Sequence, residues 1–346
     1  MKVQKKFTIL FLLIIFVISL KVTAYAETLI FEHNQQRLYG QYLTPYDLNK
    51  NEKPKAVLLF VHGDGDMPYN ADGYYDIIWE SLRIQGYAVF SWDKPGIGES
   101  EGNWLNQSMQ DRQSETLAAI EAVQKKYQFK ANNTGLIGFS QAGWVLPVLS
   151  NDKAKIGFAV GIGFARNWVN QGIYYTRTRL AMDGANEKKI INVLKSNGKE
   201  ILFLDRNPTY EEYLKNSGEV PMTKSRYQFV LKNYRSDATS DYSKISVPTL
   251  LLWGNKDLNV NAKGEFRWWN MTKNKNPFVN THLINNAGHG MLDAESFDSQ
   301  IFSVSQWIKL MWLEEKAFAP RFMPKLLSWL EQRTLKESKH VLLHIK

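Results

Sequence analysis

The sequence predicts an α/β fold, a mostly parallel central sheet wrapped by helices on both faces and carrying an inserted helical cap. Three observations predict it. Short apolar runs recur along the chain, each closed by Gly, Asp or a turn, as strands buried on both faces require. Segments with apolar residues at helical spacing separate these runs, and strand and helix in alternation build a parallel sheet. The alternation stops between about Phe164 and Tyr242, where the chain turns aromatic, charged and helix-like, and it resumes at Val247. Weak strand and helix units in that gap are the competing reading.

The elements follow in order. Lys2, Lys5 and Lys6 precede an apolar run from Phe7 to Leu20, and Ala24-Tyr25-Ala26 offers small residues where a signal peptidase reads. The run is shorter than the roughly 20 residues a membrane span needs, so cleavage after Ala26 and export to the periplasm or medium is expected, with an uncleaved anchor as the alternative. Thr28 to Glu32 and Leu38 to Leu43 flank the polar Asn34-Gln35-Gln36 and read as a leading antiparallel hairpin. Strands are predicted at Ala56 to Val61, Tyr87 to Trp92, Gly135 to Phe139, Ile156 to Ile162, Thr249 to Trp253 and, more weakly, His282 to Ile284. Helices are predicted at Tyr75 to Gln85, Gln113 to Tyr127 and Ala142 to Leu149, with a last core helix near Trp307 to Leu313. The domain reading is therefore a signal peptide at 1–26, a core at 27–163 and 243–318, a cap at 164–242, and a basic amphipathic extension at 319–346. In that extension Leu326, Leu327, Trp329 and Leu330 alternate with Lys and Arg. Docking on the body or on a partner is the favoured use of 320–346, and peripheral contact with an anionic membrane is the other.

Composition narrows the chemistry. The 346 residues contain no cysteine, which removes disulfide scaffolds, thiolate metal sites, iron–sulfur clusters and thiol nucleophiles. The net charge of +9 does not indicate nucleic acid. Residues 1–26 hold four lysines and no acid, and residues 309–346 hold eight Lys or Arg against four Glu, so the folded middle is nearly neutral. No P-loop occurs, and Gly96 and Gly98 are followed by Glu101 where a dinucleotide fingerprint needs Gly, so no cofactor is implied. His62, Asp64 and Asp66 alternate like metal ligands, yet no further ligand motif completes a site, and solvated loop acids are the preferred reading.

The sharpest chemical signal is Gly138-Phe139-Ser140-Gln141-Ala142-Gly143, directly after a predicted strand and before a helix-compatible run. A serine at a strand-to-helix turn needs small neighbours because the chain folds back tightly there. Such a turn exposes the hydroxyl at the carboxyl edge of the sheet, above a helix N-terminus. The bland reading is a small residue at a tight turn. Four further segments stand at strand ends: His62-Gly63-Asp64-Gly65, Asp93-Lys94-Pro95-Gly96-Ile97-Gly98-Glu99-Ser100, Gly254-Asn255-Lys256-Asp257 and Ala287-Gly288-His289-Gly290.

With these five segments in this order the chain resembles the α/β-hydrolase superfamily, over residues 27–163 and 243–312, and within it the group of exported esterases, thioesterase-like proteins and serine aminopeptidase-like enzymes. The resemblance implies a catalytic triad of Ser140, Asp257 and His289, in the chain order expected for that fold. It places the oxyanion donors at the backbone N–H groups of Gln141 and Asp64. It departs from the commonest elbow in having Ala142 for the second Gly. Asp237 and Asp241 are the competing acids. Among the other histidines, His33, His340 and His344 lie near the ends and His282 in a strand, while His62 reads as a structural residue bonded to its own loop. The cap aromatics, Trp168 among them, together with Trp144 just past the elbow, suggest a wall for an apolar acyl or aryl group, although most such rings simply pack.

The function these readings imply is an exported serine hydrolase of small-molecule carboxylic esters, working through an acyl-enzyme. Peptidase or aminopeptidase activity, thioesterase activity, or a catalytically silent binding protein on the same fold are the alternatives.

Overall fold

The computed structural model describes residues 26–46, 52–217, 220–271 and 276–343, with side chains to 334. The signal peptide expected at 1–26 lies outside it except for Ala26, as do the side chains of the last part of the extension. No helix among the described residues is long and apolar enough to cross a membrane.

Eight strands form one sheet: β1 (Ala26–His33), β2 (Gln36–Leu43), β3 (Val57–Val61), β4 (Ala88–Trp92), β5 (Thr134–Phe139), β6 (Phe158–Ile162), β7 (Thr249–Gly254) and β8 (Val279–Ile284), in the order β1-β2-β4-β3-β5-β6-β7-β8. The first two pairings are antiparallel and all later ones parallel. Every residue of β3, β4, β5, β6 and β7 is buried, so these strands read as unbroken apolar runs. Successive side chains point to opposite faces. Val57, Leu59 and Val61 therefore join one core with Ala119, Ile120 and Val123, while Leu58 and Phe60 join the other with Ile78, Trp79 and Leu82. Helix α1 (Tyr74–Ile84) covers the second face and α2 (Met109–Tyr127), opened by a reciprocal Ser108–Asp111 cap, covers the first.

Two local expectations are corrected. The hairpin turns on two residues, Asn34 and Gln35, both with positive φ, and Gln36 already pairs with His33. Asn is at ease in the left-handed region, so a two-residue turn of this hand suffices and the strands run longer than their alternation suggested. After Ser140 there is no continuous helix over 142–149. A tight 3₁₀ turn spans Ser140–Trp144 and one turn of α-helix, α3 (Leu146–Leu149), follows. Pro147 has no N–H and its ring would collide with the carbonyl four residues back, so the helix restarts with the proline in its first turn.

Between β6 and β7 the described residues contain helices and no strand: α4 (Trp168–Met182), α5 (Glu187–Leu204), α6 (Tyr210–Asn216), α7 (Lys224–Asn233) and α8 (Thr239–Tyr242). They have a small core of their own in Leu204, Tyr213, Tyr227 and Tyr234, with the Tyr213 and Tyr227 rings stacked 4.5 Å apart. Tyr213 and Tyr227 pack the cap, and none of the three tyrosines lines the cavity at Ser140. Helix α9 (Ala262–Asn270) and α10 (Val304–Leu313) return the chain to the sheet, and α11 (Phe322–Leu343) closes it.

Among the described side chains of the extension, five large apolar ones are spent on the body. Phe322, Met323, Leu326, Trp329 and Leu330 are buried in the second core, and the Trp329 indole N–H donates to Asn280 Oδ1 at 3.2 Å. A membrane cannot use the same face. Leu326→Ala should therefore cost about 2–5 kcal/mol, as a fully buried leucine does. Urea unfolding checks this, since a loss below about 0.5 kcal/mol would mean the helix is not part of the cooperative fold.

Candidate active site

The chain leaves β3 toward β4 on one side of the sheet and later enters β5 on the other, so the strand order reverses between β3 and β5. Loops at the carboxyl ends of strands beside such a reversal splay apart and leave a crevice. Ser140 follows β5 there with φ +49°, a conformation that non-glycine residues rarely adopt. The tight turn explains its small neighbours. A Cβ at Gly138 would sit 2.8 Å from both the Ala142 Cβ and a Leu146 methyl, and one at Gly143 would sit 3.0 Å from the Phe164 ring. Ala142 is itself buried and outside the left-handed region, so the extra methyl fits.

The loop after β3 lies alongside. A Cβ on Gly63 would stand 3.4 Å from the Ser140 Cβ and from the Phe139 carbonyl. Buried cations hold the carbonyls of this loop. Lys94 Nζ donates to Gly63 O at 2.6 Å and to Gly65 O at 2.8 Å, and Arg112 donates to His62 O at 2.6 Å and to Gln141 Oε1 at 2.7 Å. A trans peptide is planar with its C=O and N–H opposed, so the lysine that fixes the Gly63 carbonyl also fixes the direction of the Asp64 N–H. Lys94 and Arg112 are 2% and 5% exposed. Burial draws Lys94 well below the usual lysine range, with the Arg112 charge adding to the effect. Neither role is visible in the sequence beyond the presence of Lys94 in a turn that returns beside the loop.

His62 is corrected from its sequence reading. It bonds the neighbouring strand and helix α1 rather than its own loop, with Nε2 donating to Trp92 O at 2.6 Å and Nδ1 receiving the Tyr75 hydroxyl at 3.2 Å. Burial, with help from the Lys94 and Arg112 charges, lowers its pKa to about 3. It is neutral at any ordinary pH. His62, Asp64 and Asp66 do not converge, since Asp64 turns to Arg226 and Gln141 while Asp66 is exposed.

Asp257 follows β7 and His289 follows β8. The Asp257 Oδ2 lies 2.8 Å from His289 Nδ1, and its Oδ1 accepts the backbone N–H groups of Asn259 and Val260 at 2.7 and 2.8 Å. Asp237 and Asp241 are engaged elsewhere, with Asn167 and Thr239 and with Lys244. The two loops are tied together: Lys256 N–H donates to Ala287 O, and a Cβ at Gly254 would fall 2.2 Å from that carbonyl, which leaves room only for glycine. On the cap side the Tyr174 hydroxyl donates to Asp257 O at 2.9 Å. A Cβ on Gly163 would come within 3.0 Å of the His289 ring, so the ring packs against bare backbone. Burial alone would lower the His289 pKa, but the charge and hydrogen bond of Asp257 outweigh it, and the imidazole ends above its ordinary 6.5. Its side chain stays 21% exposed, enough to meet a bound molecule.

Ser140 and His289 line one cavity of about 390 Å³. Its wall also includes Gln141, Asp64, Trp144 and Trp168, so this cavity gathers every sequence-predicted site residue except Asp257, which reaches it through His289. The two indoles stack 5.0 Å apart. Arg226, from α7 of the cap, forms a two-pronged bond to Asp64 at 2.9 and 2.6 Å. Across 162 positions of sequence, no local pattern announces that pair. Among the described residues no group of three or more His, Cys, Asp or Glu side chains is placed to hold a metal ion.

Residues 52–296 match the family model described as serine aminopeptidase, S33. No curated protein matches the chain by sequence. Among solved structures, an esterase of Pyrococcus furiosus superposes with a TM-score of 0.54 at 14% identity, covering 90% of this chain and 94% of that one. A proline iminopeptidase of Mycobacterium smegmatis gives 0.55 at 12% identity, with 90% and 100% covered. An α/β hydrolase of Penicillium gives 0.52 at 16%, with 85% and 99% covered. At such identities the likeness is one of fold, and the fold is that of the α/β hydrolases.

Proposed function

The chain belongs to the serine aminopeptidase S33 family, and we propose that within it the protein is a serine hydrolase that cleaves carboxylic esters through an acyl-enzyme on Ser140. The observation that carries this reading is the Asp257–His289 pair opening onto the cavity that Ser140 lines. In the first half-reaction His289 Nε2 takes the hydroxyl proton as Ser140 Oγ bonds to the ester carbon, and the carbonyl electron pair moves to oxygen. His289 then returns the proton to the leaving alkoxide oxygen as the C–O bond breaks. Water, deprotonated by the same imidazole, repeats the addition and releases the carboxylic acid and free Ser140. The developing oxyanion is met by the N–H groups of Gln141 and Asp64. Lys94 acts through Asp64 as a positioning residue, holding the Gly63–Asp64 peptide so that its N–H cannot turn away.

Esters are favoured over N-terminal peptides by one feature of the cavity. A free α-amino group needs an unpaired carboxylate, and the single acid among the described lining residues, Asp64, is already paired with Arg226. Turnover of p-nitrophenyl esters against aminoacyl p-nitroanilides tests this, and faster anilide cleavage would reverse the assignment. The protein is proposed to act outside the cytoplasm after removal of residues 1–26. Sequencing of the mature N-terminus should then begin at Glu27, whose carboxylate pairs with Lys126.

The pH profile follows from the raised His289. The base must be neutral to accept the Ser140 proton, so kcat/KM should rise with pH and reach half its plateau above pH 6.5. A midpoint well below 6.5 would mean that the titrating group is not an imidazole held by a carboxylate.

A further inference from the structure

A second cavity, of about 200 Å³, is formed by cap residues, opens to solvent beside the exposed Gly172, Ile173 and Glu200, and shares Trp168, Gly172 and Thr176 with the cavity at Ser140. These residues are four apart, so they form one row along α4, with the two cavities on either side of it. The row has a notch. Nothing lies within 4 Å of where a Cβ on Gly172 would stand, so the ridge between the cavities is bare backbone at its midpoint. Beyond it the wall is mostly aliphatic, made by Val169, Ile173, Leu194, Ile201, Leu204 and Val230, with the Tyr234 ring beside them. Its polar side chains are few, Asn197 and Glu200 among them.

Resting on the hydrolase reading, we propose that the cap cavity is the acyl-chain site, which takes the straight alkyl chain of a medium-chain ester through the Gly172 notch while the ester carbon sits at Ser140. An unbranched chain suits the opening because the notch is one residue wide and Trp168, stacked on Trp144, flanks it. Arg226 and Asp64 stay on the Ser140 side and line no part of the cap cavity, so nothing charged but Glu200 meets the chain. Each methylene moved from water into the cavity should raise kcat/KM roughly fourfold, the fold-change equivalent to about 0.8 kcal/mol.

The test uses Gly172→Leu. The open space at this position admits the side chain, and leucine suits a helix interior better than glycine, so the variant should fold, which its melting temperature verifies. In the unaltered protein kcat/KM for p-nitrophenyl esters should climb from acetate to octanoate, and Gly172→Leu should lower the octanoate-to-acetate ratio at least tenfold. Calorimetric titration supplies a readout independent of turnover: octanoate should bind the Ser140→Ala protein more tightly than acetate does, and adding Gly172→Leu should weaken octanoate at least tenfold. An unchanged ratio in a folded Gly172→Leu protein, or octanoate binding indifferent to that substitution, overturns the acyl site. Octanoate binding that depends on Gly172, without hydrolysis of any ester, upholds the site and defeats the hydrolase reading instead.

Discussion

Ser140→Ala is expected to lower kcat for ester hydrolysis by about 10⁴- to 10⁶-fold and to abolish covalent labelling by a fluorophosphonate. The loss should fall on kcat, because the hydroxyl supplies the bond that forms and little of the surface that holds substrate. Folding should survive, since the elbow is fixed by the packing of Gly138 on Ala142 and of Gly143 on Phe164 rather than by the hydroxyl. Ser140→Gly sharpens the test. The left-handed backbone at φ +49° costs a residue with a Cβ about 1–2 kcal/mol, a strain that glycine escapes. The glycine variant should therefore be inactive and more stable than the alanine variant toward urea. Retention of labelling in either variant would remove Ser140 from the chemistry.

Asp257→Asn is expected to cost about 10⁴-fold in kcat while leaving the fold intact. The argument runs through hydrogen-bond direction. Two backbone N–H groups, of Asn259 and Val260, point at Oδ1 and demand an acceptor there. An asparagine must place its carbonyl oxygen at that position, which turns its NH₂ toward His289 Nδ1. That nitrogen would then have to accept, the ring proton would move to Nε2, and the imidazole could no longer take a proton from Ser140. Losing the carboxylate also removes what raises His289 and leaves burial to act alone, so the acid limb of the residual activity should move to lower pH. A loss of less than tenfold would mean that the carboxylate does not set the tautomer.

The legible parts of this molecule are those in which a residue's environment repeats at short range. Strands β3 to β7 are buried on both faces and therefore carry continuous apolar runs, which mark their positions to within about two residues. Edge strand β8 is only half-buried, and its start at Val279 is not legible because the polar Asn280 and Thr281 separate Val279 from the apolar end of the run. Ser140 stands out by its tight strand-end turn with small neighbours, while His289 and Asp257 could be named because their strand-end segments resemble those of the α/β hydrolases in the same chain order. The buried clamp of Lys94 and Arg112 could not, because a buried cation has the same letter as a solvated one and only its distant carbonyl partners reveal the difference.

By itself the sequence determined where the buried strands fall, where their alternation with helices is interrupted by the cap, and which oxygen and nitrogen groups are available for chemistry, since periodicity and turn composition are local properties of the chain. Tertiary structure alone decided that Arg226 neutralises Asp64, that Lys94 sets the direction of a peptide it does not adjoin, and that Gly172, a position without a side chain, borders two cavities at once. Each of these depends on distances across elements remote in sequence, and such distances exist only once the sheet has gathered its loops at one edge.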